Sequence, residues 1–161
     1  MRRCSWLLLV LAMVCVGCGV RPSGAIPGDP APTGPVNGVT LFLVRNDQLV
    51  PTLRTTLTQL TPIAAISVLA EGPDSDEQGQ GLRTQVPANL APAGVNTTAA
   101  GTTLDIGIDP TTLSTTAIEQ LVCTALSAIS AQTTATIGNV GVFSIAGAGR
   151  TMDALRCPEI G

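Results

Sequence analysis

Apolar and polar residues follow different rhythms along the chain. Trp6 to Val16 is a nearly unbroken apolar run behind Arg2 and Arg3, too short to cross a bilayer comfortably. Residues 18–37 have no period, and Pro22, Pro27, Pro30, Pro32 and Pro35 fall among glycines. The rhythm becomes β-like at Val39-Thr40-Leu41-Phe42-Leu43-Val44-Arg45, where Leu41 and Leu43 point the same way. Asn46-Asp47 predicts a turn and Gln48 to Arg54 a hairpin partner. Pro51 cannot donate to a ladder, which makes that partner an edge or irregular strand. Thr61-Pro62 then predicts a helix start. Ala65, Ile66 and Leu69 form its apolar face, and Gly72-Pro73 stops it. The stretch from Asp74 to Gly81 is expected to be a solvated acidic loop, too polar to be buried.

Two short strands are expected next, Ala93 to Thr98 and Thr102 to Ile108, around a turn at Ala99-Ala100-Gly101 in which the glycine supplies a positive φ. Leu104, Ile106 and Ile108 alternate with Asp105 and Gly107, so one face of that strand is covered. A second helix opens at a capping box, Thr116 with Glu119. Its stripe is Ile118, Leu121, Val122, Ala125 and Ile129. Cys123 falls away from that stripe at ~100° per residue, which favours a bond to a segment crossing the helix's outer face. The tail bearing Cys157 is the candidate. Val140 to Ala146, between Gly138 and Gly147, reads as a final strand.

The N-terminal pattern has its own meaning. A short positive segment, an apolar run and Val16-Gly17-Cys18 together resemble a bacterial lipoprotein signal. The resemblance implies removal of residues 1–17 and diacylglycerol transfer to the Cys18 sulfur. Cys15 stands where that pattern prefers leucine, and the alternative is an ordinary secretory signal. Residues 18–37 become a Pro/Gly-rich flexible linker, at about 3 Å per residue a spacer between bilayer and domain. Residues 38–161 are the folded domain with its C-terminal tail.

Composition narrows the chemistry. The sequence has no lysine and no histidine, so all eight basic residues are arginines, and only three residues are aromatic. Arginine without lysine, alongside abundant Ala, Gly, Thr and Pro, hints at a GC-rich genome. The core must be aliphatic. Without residues 1–17 the chain keeps six arginines against eleven carboxylates, a formal charge of −5, which gives no attraction to nucleic acid or anionic headgroups. Membrane association would come from acyl chains, of which two suffice. Cys4 and Cys15 depart with the signal and Cys18 is lipidated. The remaining pair, Cys123 and Cys157, reads as a disulfide in an oxidising compartment, with two free thiols as the alternative.

Candidate chemistry is sparse. A serine or cysteine nucleophile lacks its usual histidine or lysine base. Asp105 with Asp109 is the best carboxylate pair, but Asp109 precedes Pro110 and looks like a turn residue. Asp74, Asp76, Gln78 and Gly79 mimic the opening of a calcium loop, yet Gln78 and Gln85 stand at the two deciding positions. The expectation is a non-enzymatic protein that needs no cofactor or metal. Its candidate interaction loop comprises Asp74, Asp76, Glu77 and Arg83. Arg54 and Arg83 suit a partner's carboxylate, or else a carboxylate of the same fold.

Leu49-Val50-Pro51 with Arg54, the Ala-rich helix closing at Gly72-Pro73, Gly81-Leu82 with Pro87, the Leu104-Asp105-Ile106 strand and Thr124 together resemble the GerMN domain of bacterial envelope proteins, including actinobacterial lipoproteins. The likeness covers roughly residues 39–146. It implies a single α+β domain with two helices packed on one face of a mostly antiparallel sheet, in line with the elements above. It also implies a lipid anchor in the cytoplasmic membrane and an envelope protein partner, a sensor kinase or an assembly complex. The family offers no catalytic residues to carry over. A second class of function is a carrier of a small apolar ligand or lipid in a cavity between helix and sheet.

Overall fold

A computed structural model describes residues 37–98, 100–132 and 142–159. The expected signal segment, Cys18 and nearly all of the linker lie outside these residues, as does the beginning of the strand expected from Val140. Two strands, β1 (Gly38–Arg45) and β2 (Gln48–Thr55), form an antiparallel hairpin. Asn46 and Asp47 in its turn have φ of 51° and 59°, the left-handed pair a two-residue hairpin requires and which Asn and Asp tolerate. β1 turns Val39, Leu41 and Leu43 into the core.

Helix α1 (Pro62–Glu71) starts as its sequence implies. The Thr61 hydroxyl accepts from the Ala64 N–H at 3.2 Å, and Pro62 holds the first helical position. Ala65, Ile66 and Leu69 are fully buried. Gly72, at φ 93°, closes the helix by donating its N–H to Val68 and Leu69 carbonyls. A short helix follows at once, α2 (Ser75–Gly79), where the sequence suggested an open loop.

The second sheet contains β3 (Pro92–Thr98), β4 (Gly101–Ile106), β5 (Val142–Gly147) and β6 (Arg150–Leu155), in that spatial order. β3–β4 and β5–β6 are antiparallel and β4–β5 parallel. The parallel pair follows from its connection, because the chain returns through α3 (Thr115–Gln132) and so enters β5 in the direction of β4. Gly101 has a positive φ, and it also lies so close to the Val142 carbonyl oxygen that a Cβ would have no room.

Helix α3 is capped two residues earlier than its apparent capping box of Thr116 with Glu119. Ser114 is the cap, its Oγ accepting from the Ala117 N–H at 3.1 Å and donating to Gln85 Oε1 at 2.7 Å. Leu121, Val122 and Ala125 of the expected stripe are buried, with Ile118 and Ile129 half-buried. The buried arc also takes in Ala117, Gln120, Thr124 and Ala128, and α3 packs on β1 and α1. One cluster joins these helices to Leu41, Leu43, Leu104, Ile106, Phe143 and Ile145 of both sheets. The fold is α+β, as expected, with its strands divided between two sheets.

Candidate functional site

The polar groups facing inward first explain how the surface is held. Phe42 directs its N–H and C=O away from β2 and toward α3. Thr124 Oγ1 accepts from the Phe42 N–H at 3.1 Å, and Gln120 Nε2 donates to the Phe42 carbonyl at 2.7 Å. One residue-pair further along the same edge, Val44 exchanges both backbone hydrogen bonds with Arg83, at 2.8 and 2.9 Å. Gln120 Oε1 then accepts from the Gln85 N–H at 2.8 Å. Two side chains one helical turn apart and the strand-like segment around Arg83 therefore complete the open edge of β1. Opposite Phe42 stands Pro51, so the proline nitrogen faces the other, outer edge of the hairpin, where a missing N–H disrupts no pairing.

The acidic stretch is ordered by its own caps. Asp74 Oδ1 accepts from the Asp76 and Glu77 N–H groups at 3.0 and 2.9 Å, and Glu77 Oε2 accepts from the Asp74 N–H at 2.9 Å. This is a reciprocal capping box. Glu77 also forms an ion pair with Arg54, whose Nε lies 3.3 Å from Oε1 and whose Nη2 reaches the Gly72 carbonyl at 3.4 Å. The expectation of a wholly solvated loop is corrected here. Glu77 is buried, because a carboxylate paired with a guanidinium and a backbone amide can leave water. Arg54 takes the intramolecular option. Asp76 and Arg83 remain exposed, and Asp74 is exposed with its carboxylate on the helix end. Glu77→Gln is expected to lower stability by about 1.5–3 kcal/mol, the range for charge-assisted hydrogen bonds. The check is a reduced urea midpoint at unchanged slope, with Asp76→Asn moving it by less than about 0.5 kcal/mol.

Asp105 and Asp109 stand in different settings. Asp105 projects from the outer side of β4, while Asp109 caps the 3-10 turn Pro110–Thr112. Thr111 donates its hydroxyl to Asp109 Oδ1 at 2.7 Å and its N–H at 2.9 Å. These bonds, with Arg150 as a lesser contributor, hold the Asp109 carboxyl below its ordinary value of 3.8. A depressed folded pKa contributes stability that is present above the ordinary carboxylate value and lost as pH falls through the lowered one. Asp109→Asn should therefore differ from the parent at neutral pH and converge with it in acid, as urea titrations across that range will read.

Cys123 and Cys157 are joined by a disulfide, with Cα atoms 4.9 Å apart. Cys123 is buried and Cys157 half-buried. The tail after β6 thus covers the side of α3 that lies off the apolar stripe.

Surface grooves among the described residues include two of note. One, about 230 Å³, lies on the outer side of the second sheet among Thr103, Ser144, Val142 and Asp153. The other, about 490 Å³, runs between the β1–β2 turn and the end of α2. Arg45 and Asn46 line one side, and Gln78, Gln80 and Gly81 to Arg83 the other. It unites Arg83, singled out in the sequence, with Arg45, which was not. The signal for Arg45 was available, since the Asn46-Asp47 turn fixes it beside the hairpin tip. Polar side chains line part of both grooves.

No family model matches the chain, and no curated protein matches it by sequence. Among solved structures, the tandem GerMN domains of the sporulation protein GerM from Bacillus subtilis match it with a TM-score of 0.54 at 20% identity. The match covers 78% of this chain and 43% of that one, so this chain spans less than half of the tandem structure. At that identity the likeness is one of architecture, and the domain has a GerMN-like α+β fold.

Proposed function

We propose that this chain is an extracytoplasmic lipoprotein, anchored through Cys18, whose domain is a non-enzymatic protein-binding, scaffold or regulatory module of a bacterial cell envelope. The actinobacterial type is part of the proposal and rests on a composition with arginine but no lysine, rich in Ala, Gly, Thr and Pro. The observation that carries the reading is the GerMN-like fold, shared with a domain pair of a sporulation protein, behind an N-terminus that ends its apolar run at Val16-Gly17-Cys18. The polar side chains in the interior support it. Glu77, Gln120 and Thr124 all hydrogen-bond backbone groups, so they hold the fold together. The exposed groove then offers the surface for recognition.

The test is photocrosslinking in intact bacterial cells, with a photoreactive residue at Gln80 in the full chain. A discrete protein adduct that depends on Cys18 is expected. Absence of any protein adduct, or undiminished adduct from a Cys18→Ser chain that stays in the cytoplasm, would overturn the reading.

A further inference from the structure

We propose that the groove between the β1–β2 turn and α2 binds an acidic peptide segment of a partner protein, with Arg45 and Arg83 as its carboxylate-binding groups. The inference rests on the protein-binding reading above and adds the chemistry of the partner.

The distribution of arginines makes the groove unusual. Of the five arginines among the described residues, two find an acid nearby. Arg54 does so with Glu77 and Arg150 with Asp109. Arg45 and Arg83 are exposed, carry no ion pair among the described residues, and line the same groove, whose walls contain no carboxylate. Two guanidiniums sharing a site repel each other, and a bound anion relieves that repulsion. Each guanidinium presents a planar fork that matches a carboxylate bidentately. Asn46 and Gln80 add amide donors and acceptors of the kind a peptide backbone needs.

The groove is also held in place. Arg83 is fixed at its backbone by both bonds to Val44, and Gln85 beyond it by Gln120. Arg45 is the last residue of β1, in register with Gln48 across the turn. At the far wall, Gln78 Nε2 donates to the Pro73 carbonyl at 2.7 Å, and Gln80 closes α2. Binding would therefore order side chains and little backbone, which removes part of the entropic cost of association. A volume of about 490 Å³ falls within the usual range of ligand clefts. The overall acidic field disfavours an anionic bilayer as the occupant, whereas a short acidic segment answers to the local charge.

The experiment titrates a fluorescein-labelled octaglutamate peptide against the full-length chain in detergent at low salt. Saturable binding is expected, weakened at least about tenfold in Arg45→Ala/Arg83→Ala, as loss of two charge-assisted contacts implies. Arg156→Ala, which alters an exposed arginine outside the groove, should change affinity less than about twofold. Both variants should keep the parent's thermal midpoint, because the replaced side chains are exposed. The proposal is overturned if the peptide does not bind, or if the double variant binds as the parent does. Phosphatidylglycerol vesicles binding more tightly than the peptide with the same arginine dependence would also overturn it. If the Gln80 adduct in cells persists at full yield in the double variant, the groove assignment fails and the protein-binding reading stands.

Discussion

Gln120→Leu is expected to lower the stability of the domain by about 1–3 kcal/mol, because it orphans two part-buried backbone groups. The side chain is fully buried, and it satisfies the Phe42 carbonyl with one end and the Gln85 N–H with the other. Leucine has a similar volume, so cavity formation adds little and the loss reports the hydrogen bonds. Thr124→Val should cost less, at the lower end of that range, since it leaves only the Phe42 N–H without an acceptor. The two changes meet at one residue, so their effects should not add. Urea denaturation measures both. Amide exchange localises them, with faster exchange at Gln85 in the first variant and at Phe42 in the second. A stability change below about 0.5 kcal/mol for Gln120→Leu would remove the claim that α3 completes the edge of β1.

Loss of the disulfide should be comparable. Cys123→Ala/Cys157→Ala opens a loop with a sequence separation of 34, and removing such a bridge from a small exported domain typically costs about 2–5 kcal/mol. Against a total of roughly 5–15 kcal/mol for a domain, this is a large share. The bridge also fixes the tail over α3, so the double variant should expose the helix surface around Cys123 to amide exchange. The measurement is the urea midpoint of the double variant beside nonreducing peptide mapping of the parent. Two alkylatable thiols in the parent would contradict the bridge.

Where the sequence spoke clearly, local chemistry and tertiary packing asked for the same thing. Thr61-Pro62 and Gly72 bound α1 because capping and proline geometry are local. Asn46-Asp47 set the hairpin for the same reason. The acidic stretch hides its structure because polarity alone points to exposure, while Glu77 is buried. Asp74 and Glu77 form a capping box, and Glu77 becomes burial-competent only because Arg54, far away in sequence, reaches it. The extent of the buried face of α3 was hidden for a related reason. Gln120 and Thr124 look like surface residues by hydropathy, and they turn inward because β1 has backbone groups to satisfy. β6 was not anticipated, since its exposed and half-buried residues leave no clear alternation and its turn is only Ala148-Gly149. The pairing of Cys123 with Cys157 was legible because helical phase placed Cys123 off the stripe. For the groove, sequence offered Arg83, while its union with Arg45 depended on the bridge between Val44 and Arg83.

The most direct test of the account as a whole is the intact mass of the full chain extracted from the membrane fraction of a bacterium that processes lipoproteins. The expected species begins at Cys18, carries the added mass of a diacylglyceryl group on that residue, and contains Cys123 and Cys157 without free thiols. A chain that retains residues 1–17, or one released unmodified into the medium, would contradict it.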